Sequence, residues 1–213
     1  MKKLHLLILT LFLMFNGIGL HAQSFDGGFI AGAVTSQING DGYAGFHQLG
    51  FTTGVFARIP TEGPSSWQLE VKYSLLGAHS SIDEENLGMN PMNIRLHYVE
   101  IPLMFRYDLA AFNINGKTLD FITLELGLSN DFLARGMQSA NYEENFDNSS
   151  WLFYSITGNF GMQFDLNEHL GINIRSMNSI TPCRFHPEAP VFSWYHYYNI
   201  ALQATLVYTI LHY

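Results

Sequence analysis

Apolar and polar residues alternate along most of the chain, and the alternating segments are separated by clusters of Gly, Asn, Asp and Pro. A period of two residues places successive side chains on opposite faces, which is typical of a β-strand. No stretch between the segments has convincing helical periodicity. The pattern predicts eight strands, at residues 28–37, 47–58, 66–77, 94–107, 118–133, 151–164, 169–177 and 197–211.

The connectors between these strands alternate in length. Those that follow residues 58, 107 and 164 are short or moderate, whereas 78–93 and 178–196 are longer and polar, as is 134–150. Outer-membrane barrels have short periplasmic turns and longer outside loops, and their strands need roughly 9–11 residues to cross the bilayer. The expected fold is therefore all-β, an eight-stranded antiparallel up-and-down transmembrane β-barrel.

The two faces of each predicted strand differ in polarity. In the last strand, Ile200, Leu202 and Leu206 share an apolar face, while Asn199 and Gln203 lie opposite. A soluble barrel of the lipocalin kind, which is the alternative, would turn its apolar face inward and carry charges outside. Here the mid-strand charges lie opposite the apolar stripes, so they are expected to face the lumen. These residues form a predicted lumen charge network: Glu70, Lys72, Glu100, Arg106, Glu125 and Arg175.

Three of these six groups are acidic and three are basic, so they can pair inside a narrow barrel. An Arg or Lys facing lipid would cost roughly 2–4 kcal/mol near mid-bilayer. Because eight strands leave an interior that side chains nearly fill, we expect a structural salt-bridge network and not a conducting path. Glu100 is expected to pair with Arg106 or Arg175. Aromatic residues near the ends of the apolar stripes predict interfacial girdles against outer-membrane lipid: Trp67, Tyr107, Tyr154, Tyr198 and Tyr208.

The N-terminus has the layout of a secretory signal peptide. A basic start precedes an apolar stretch at 4–15, and the small residue Ala22 precedes Gln23. We expect residues 1–22 to be cleaved and residues 23–213 to form the barrel domain. A retained N-terminal anchor helix is the alternative. The formal net charge is −8, which argues against nucleic acid as a partner, and a single cysteine permits no intramolecular disulfide.

Two neighbouring strands carry a distinctive pattern. Residues 69–77 read LEVKYSLLG and residues 98–103 read YVEIPL. They resemble the PorT-like outer-membrane β-barrel family, whose members commonly show a strand similar to L-E-x-x-Y-S-x-x-G followed by Y-x-E-I-P-L. Residues 158–161 and 171–175 are similar to later strands of that family. The resemblance implies an outer-membrane barrel of a Gram-negative bacterium, and some members of the family assist protein secretion of the type IX kind.

Pro102 lies inside the predicted fourth strand. A proline cannot donate a ladder hydrogen bond and normally occurs at a sheet edge or a bulge. Because a closed barrel has no edge, we expect a local bulge at Pro102.

Three loops carry side chains that could bind a ligand or a partner. Acidic residues at 83–85 and 143–147 provide oxygen ligands for a divalent cation, but neither has the spacing of an EF-hand. His186 and His196 lie near Cys183 without the spacing of a zinc motif. We therefore expect no metal and no cofactor. The last outer loop is a candidate contact loop for an envelope or secretion protein, through Phe192 and Trp194.

No set of catalytic residues is predicted, because the chain has no G-x-S-x-G, P-loop or dinucleotide signature. We expect a non-enzymatic barrel that is a structural or accessory envelope component, with a link to protein secretion. The alternatives are a small-solute pore and a lipid-acting outer-membrane enzyme. The sequence leaves the oligomeric state open.

Overall fold

Eight long antiparallel strands form one closed barrel. Each strand pairs with its neighbour in the chain, and the first strand also pairs with the last, which closes the ring. The strands are β1 Asp26–Asn39, β2 Gln48–Pro60, β3 Ser65–His79, β4 Met92–Asp108, β5 Ile122–Ala140, β6 Tyr154–Asp165, β7 Leu170–Ser179 and β8 Tyr198–His212. The computed structural model describes residues 25–43, 45–81, 86, 88, 90–111, 113–114, 117–140, 143–145, 150–188, 190 and 195–212.

The all-β, up-and-down barrel predicted from the alternation is confirmed, but the fifth strand has different limits. It runs from Ile122 to Ala140, whereas the alternation predicts 118–133. At its start, Lys117–Thr118 pairs with Asn113–Ile114 in a separate two-residue hairpin. At its end, the register shifts between His97 and Tyr98 of β4. The extra residue on β5 breaks the period of two, so the prediction ends at this bulge while the strand continues.

The prediction of a bulge at Pro102 is wrong. Pro102 pairs with Ser129 of β5 in an uninterrupted register. On the β3 side, the register is the same at Glu100, before the proline, and at Leu103, after it. The proline removes one ladder donor, but the paired residues on both sides hold the strand in line. The irregularity of β4 lies instead between His97 and Tyr98.

The outward face of the barrel is apolar over most of each strand. Leu49 is 76% exposed, Leu126 is 62% exposed and Phe160 is 57% exposed, although all three are large hydrophobic residues. The inward positions between them are buried and polar or charged. This arrangement is the reverse of a soluble barrel and is the one that a lipid environment stabilises. No helix among the described residues is long and apolar enough to cross a membrane.

The barrel interior changes from polar to apolar along its length. At the end near the longer loops, the inward residues and part of a loop pack into a buried apolar cluster, which we call the loop-side apolar cluster. On the outside at the same end, Asn39, His79, Arg95 and Arg135 are exposed. At this end the interior is therefore apolar and the outer face polar, which is the reverse of the rest of the barrel. The strands thus continue beyond the lipid-facing band. The cluster consists of Val34, Ile38, Leu76, Ala78, Ile94, Leu96, Tyr98, Leu133, Trp151, Met177, Cys183 and Ala201.

Candidate functional site in the barrel interior

Charged side chains from four strands meet inside the barrel below the loop-side apolar cluster. They project from β3, β4, β5 and β7, because alternate positions of these strands face inward. Each of the six is at most 3% exposed. Charges this deeply buried need partners, since isolated ions are strongly disfavoured away from water. The set is the six residues named from the sequence: Glu70, Lys72, Glu100, Arg106, Glu125 and Arg175.

Arg175 is the central cation of this group. Its Nη1 and Nη2 atoms donate to the two carboxylate oxygens of Glu70 on β3, each at 2.8 Å. Its Nη2 also donates to Glu125 on β5 at 2.8 Å. The planar guanidinium donates to both oxygens of a carboxylate at once, so the contact fixes the relative orientation of the two side chains, which a lysine would not do. Arg175 thus joins β7 to two strands that are not its sheet neighbours.

Arg106 forms a second pair with Glu125. Its Nη1 donates to the Glu125 carboxylate, and amide oxygens of Gln68 and Gln163 accept from the same nitrogen at 3.1 and 3.0 Å. Asn173 Nδ2 donates to the other Glu125 oxygen at 2.6 Å. Glu125 is therefore shared by two arginines and an amide, which offsets much of the cost of its burial.

Lys72 lies between two glutamates. Its Nζ atom is 3.6 Å from Glu70 and 3.3 Å from Glu100, and it donates to Gln203 of β8 at 3.1 Å. The expected pairing of Glu100 with Arg106 or Arg175 is therefore wrong, because Glu100 forms its ion pair with Lys72. Neither Glu100 oxygen makes a hydrogen bond within the described part of the chain.

Asp131 is a buried charge that the sequence analysis missed. It is 4% exposed and is the direct partner of Glu100 across the β4–β5 ladder. The hydroxyl groups of Ser129 and Thr157 donate to its two oxygens. With Asp131, the central part of the interior holds four acids and three bases. The signal was present in the sequence, since Asp131 follows Glu125 by six residues and therefore shares its face.

Residues 180–188, which we call the mouth segment, fold over the loop-side end of the barrel. Cys183 is fully buried, and its backbone N–H donates to the Tyr197 carbonyl at 2.8 Å. Arg184 lies over the rings of Trp151 and Tyr197, with its guanidinium carbon 5.2 and 5.4 Å from their centroids. Burial raises the pKa of the Cys183 thiol to about 12. The segment adds to the loop-side apolar cluster, so the interior is covered at this end.

The comparisons with known proteins agree with this architecture. Residues 21–183 match the family model described as the outer membrane protein beta-barrel domain. The chain belongs to this family. A comparison with curated proteins gives no match.

Solved structures match this family member at low sequence identity. Ail, the attachment invasion locus protein of Yersinia pestis, is 12% identical with a TM-score of 0.50, and the match covers 87% of this chain and 98% of Ail. Neisserial surface protein A is 10% identical with a TM-score of 0.43, covering 87% and 97%. OprG from Pseudomonas aeruginosa is 12% identical with a TM-score of 0.35, covering 88% and 94%. The likeness to Ail concerns the fold alone.

The aromatic residues named for interfacial girdles lie at two levels of this outer-membrane barrel. Trp67, Tyr107 and Tyr208 lie near the turn-side ends of β3, β4 and β8, and Tyr154 and Tyr198 begin β6 and β8 at the loop side. These are the levels at which Trp and Tyr concentrate in membrane proteins. The Tyr154 hydroxyl donates to Asn130 at 2.7 Å, so its polar end is satisfied while its ring faces outward.

The candidate ligand and contact residues of the loops lie partly outside the described residues. Among the described residues, no group of three or more His, Cys, Asp or Glu side chains is placed to hold a metal ion. The acidic loop at 83–85 lies outside the described residues, as do the side chains of 143–147. Phe192 and Trp194 also lie outside them. His196 is 2% exposed, and its Nδ1 accepts from the backbone of His186 at 3.2 Å.

Proposed function

We propose that this chain is a PorT-like, non-enzymatic outer-membrane barrel that serves as an accessory component of the envelope in protein secretion. In this proposal the barrel is a closed and rigid membrane anchor. It presents its loops or turns to another envelope protein and does not itself conduct solutes.

The observation that carries the proposal is the set of ion pairs that cross the interior. The contacts of Arg175 with Glu70 and with Glu125 join non-adjacent strands through the lumen. The mouth segment covers the loop-side end above them. A solute path would have to break buried ion pairs and displace apolar packing, and each of these is costly.

The position of the PorT-like motif residues supports the same proposal. Glu70 belongs to the LEVKYSLLG pattern on β3, and Glu100 belongs to the YVEIPL pattern on β4. Lys72 lies between these two glutamates in the lumen. Two of the residues that carry the resemblance, Glu70 and Glu100, thus take part in the interior ion pairs, which favours a shared barrel architecture over a chance similarity of surface positions.

The proposal is tested by deletion and co-purification in the organism that makes the protein. Deletion is expected to leave secretion substrates in the periplasm, and the wild-type chain supplied from a plasmid is expected to restore their export. The tagged full-length chain, solubilised mildly, is expected to retain one stoichiometric envelope protein through size-exclusion chromatography. Normal secretion in the deletion strain would contradict the proposal. Turnover of radiolabelled lipid by the purified barrel would instead favour the lipid-acting enzyme.

A further inference from the structure

Two carboxylates lie side by side in the barrel interior. Glu100 of β4 and Asp131 of β5 are direct ladder partners, and both face the lumen and are at most 4% exposed. Side chains on the same face of directly paired residues have Cβ atoms roughly 5 Å apart. Two negative charges at this separation repel each other strongly away from water, unless a positive charge is shared between them.

The lysine beside these carboxylates does not balance both of them. Lys72 lies 3.3 Å from Glu100, but it also lies 3.6 Å from Glu70. The two buried arginines form their ion pairs with Glu70 and Glu125. Asp131 forms no ion pair within the part of the chain that the structure describes. The four acids and three bases therefore leave one negative charge in excess when all of them are ionised.

A third oxygen donor for a cation lies on the next strand, β6. The Oδ1 atom of Asn159 and both carboxylate oxygens of Glu100 are buried and accept no hydrogen bond from the described residues. Asn159 is 2% exposed, and its Nδ2 donates to the backbone carbonyl of Thr157 at 3.1 Å. The hydroxyl of Thr157 in turn donates to Asp131, which links Asn159 to the carboxylate pair. Because buried acceptors without donors are costly, several of them in one place indicate a ligand that carries positive charge.

We propose that Glu100, Asp131 and the amide oxygen of Asn159 hold one alkali cation, sodium or potassium, inside the barrel. Carboxylate and amide oxygens are the ligands that hard cations prefer. One monovalent cation offsets the single negative charge in excess, whereas a divalent cation would leave a positive charge in excess. With only two carboxylates, the site is distinct from a cluster of three or more acidic or histidine ligands.

A proton shared by Glu100 and Asp131 is the competing occupant. It would relieve the repulsion between the two carboxylates, but it would leave Asn159 Oδ1 without a partner. The unpartnered amide oxygen therefore favours the cation. This inference depends on the charges of the interior and not on the role in secretion, and a cation fixed in this way is compatible with a closed lumen.

The test is urea unfolding of the full-length barrel in lipid vesicles at pH 8, in sodium, potassium or choline chloride at one ionic strength. A ligand that binds only the folded state stabilises it in proportion to the logarithm of its concentration above its Kd. The wild type is expected to be more stable in sodium or potassium chloride than in choline chloride. When choline is replaced stepwise, the folding equilibrium constant is expected to rise up to about tenfold for each tenfold rise in the alkali cation.

Two variants remove one ligand each. Asp131→Asn removes a carboxylate and Asn159→Leu removes the amide oxygen at similar volume, and both are expected to lose the dependence on the alkali cation. Each variant is compared with itself in the three salts, so a general change of stability does not affect the result. If one variant does not fold, the other decides. Glu62→Gln, on the exposed turn between β2 and β3, is the control and is expected to keep the wild-type dependence.

The proposal is overturned if the wild type is equally stable in the three salts. It is also overturned if either Asp131→Asn or Asn159→Leu keeps the wild-type dependence. A wild-type stability that falls with rising pH, equally in all three salts, would identify the occupant as a proton and contradict the cation site.

Discussion

Arg175 on β7 reaches across the barrel to Glu70 on β3 and donates to both of its carboxylate oxygens at 2.8 Å. The two residues are 105 positions apart in the chain. The two strands are not adjacent in the barrel wall. Their contact therefore links opposite parts of the wall through the interior, in addition to the hydrogen bonds between neighbouring strands. The stability of the closed barrel should therefore depend on individual buried charges, and this dependence can be measured.

Glu70→Gln is expected to destabilise the barrel strongly. The substitution leaves Arg175 without its bidentate partner and removes the charge that Lys72 faces at 3.6 Å. Breaking one side of a buried pair typically costs about 3–5 kcal/mol. Urea unfolding in lipid vesicles measures the loss, with Glu62→Gln on the exposed turn between β2 and β3 as the control. An equal free energy of unfolding in the two variants would show that the cross-lumen pair contributes little.

Asp131→Asn is expected to stabilise the barrel or leave its stability unchanged. Asp131 faces the like charge of Glu100 across the β4–β5 ladder. The asparagine would remove this repulsion, keep an oxygen for one of the two hydroxyl donors, and turn an amide donor toward Glu100. A hydrogen bond to a charged group contributes about 1.5–3 kcal/mol. The same unfolding measurement applies, and a loss of stability comparable to that of Glu70→Gln would contradict the excess of negative charge inferred for the interior.

The inversion of polarity along the strands predicts where an added charge is tolerated. Leu206→Arg places a cation on an outward residue of β8 that is 53% exposed, and it is expected to cost roughly 2–4 kcal/mol if that position faces the bilayer midplane. His79→Arg, on the outward face at the loop-side end of β3, is expected to have little effect. Folding into vesicles and urea unfolding compare the two. Equal changes in the free energy of unfolding for the two variants would mean that the barrel does not continue past its lipid-facing band.

Cys183 reports on the mouth segment. Its thiol is buried and has a pKa raised to about 12, so alkylation at pH 8 is expected to be very slow in the folded barrel and fast in urea. Because the folded state keeps the thiol proton between about pH 9 and pH 12 while the unfolded state releases it, the contribution of Cys183 to stability falls as the pH rises through this range. Thr61→Cys in a Cys183→Ala background provides an exposed thiol for comparison. Rapid labelling of Cys183 in the folded protein would show that the mouth segment does not cover the interior.

The sequence was sufficient for the barrel and for most of its interior charges, since both follow from a period of two. It was not sufficient for the loop-side apolar cluster. On β4, Leu96 and Tyr98 face inward while Val99 and Ile101 face outward, so the apolar phase changes between Tyr98 and Val99. Two adjacent apolar residues are the only local sign of this change, and they resemble an ordinary hydrophobic strand.

The pairing of the charges also required the structure. Alternation places Glu100 and Arg106 on the inner face, but it does not tell which strands lie opposite each other or at what height. Those relations depend on how the strands are staggered around the ring. For the same reason Lys72, which lies two residues from Glu70 on its own strand, also reaches Gln203 of β8, a contact that no spacing along the chain indicates.

Single-channel recording in planar bilayers tests most directly whether the interior is closed. Purified wild-type barrel, shown to be folded by its heat-dependent shift on gels, is inserted at low density and held at a series of voltages. No resolved current steps above the background of the bare bilayer are expected, because ion pairs cross the lumen and the mouth segment covers its outer end. Reproducible steps of uniform conductance from the folded wild type would contradict it and establish a pore.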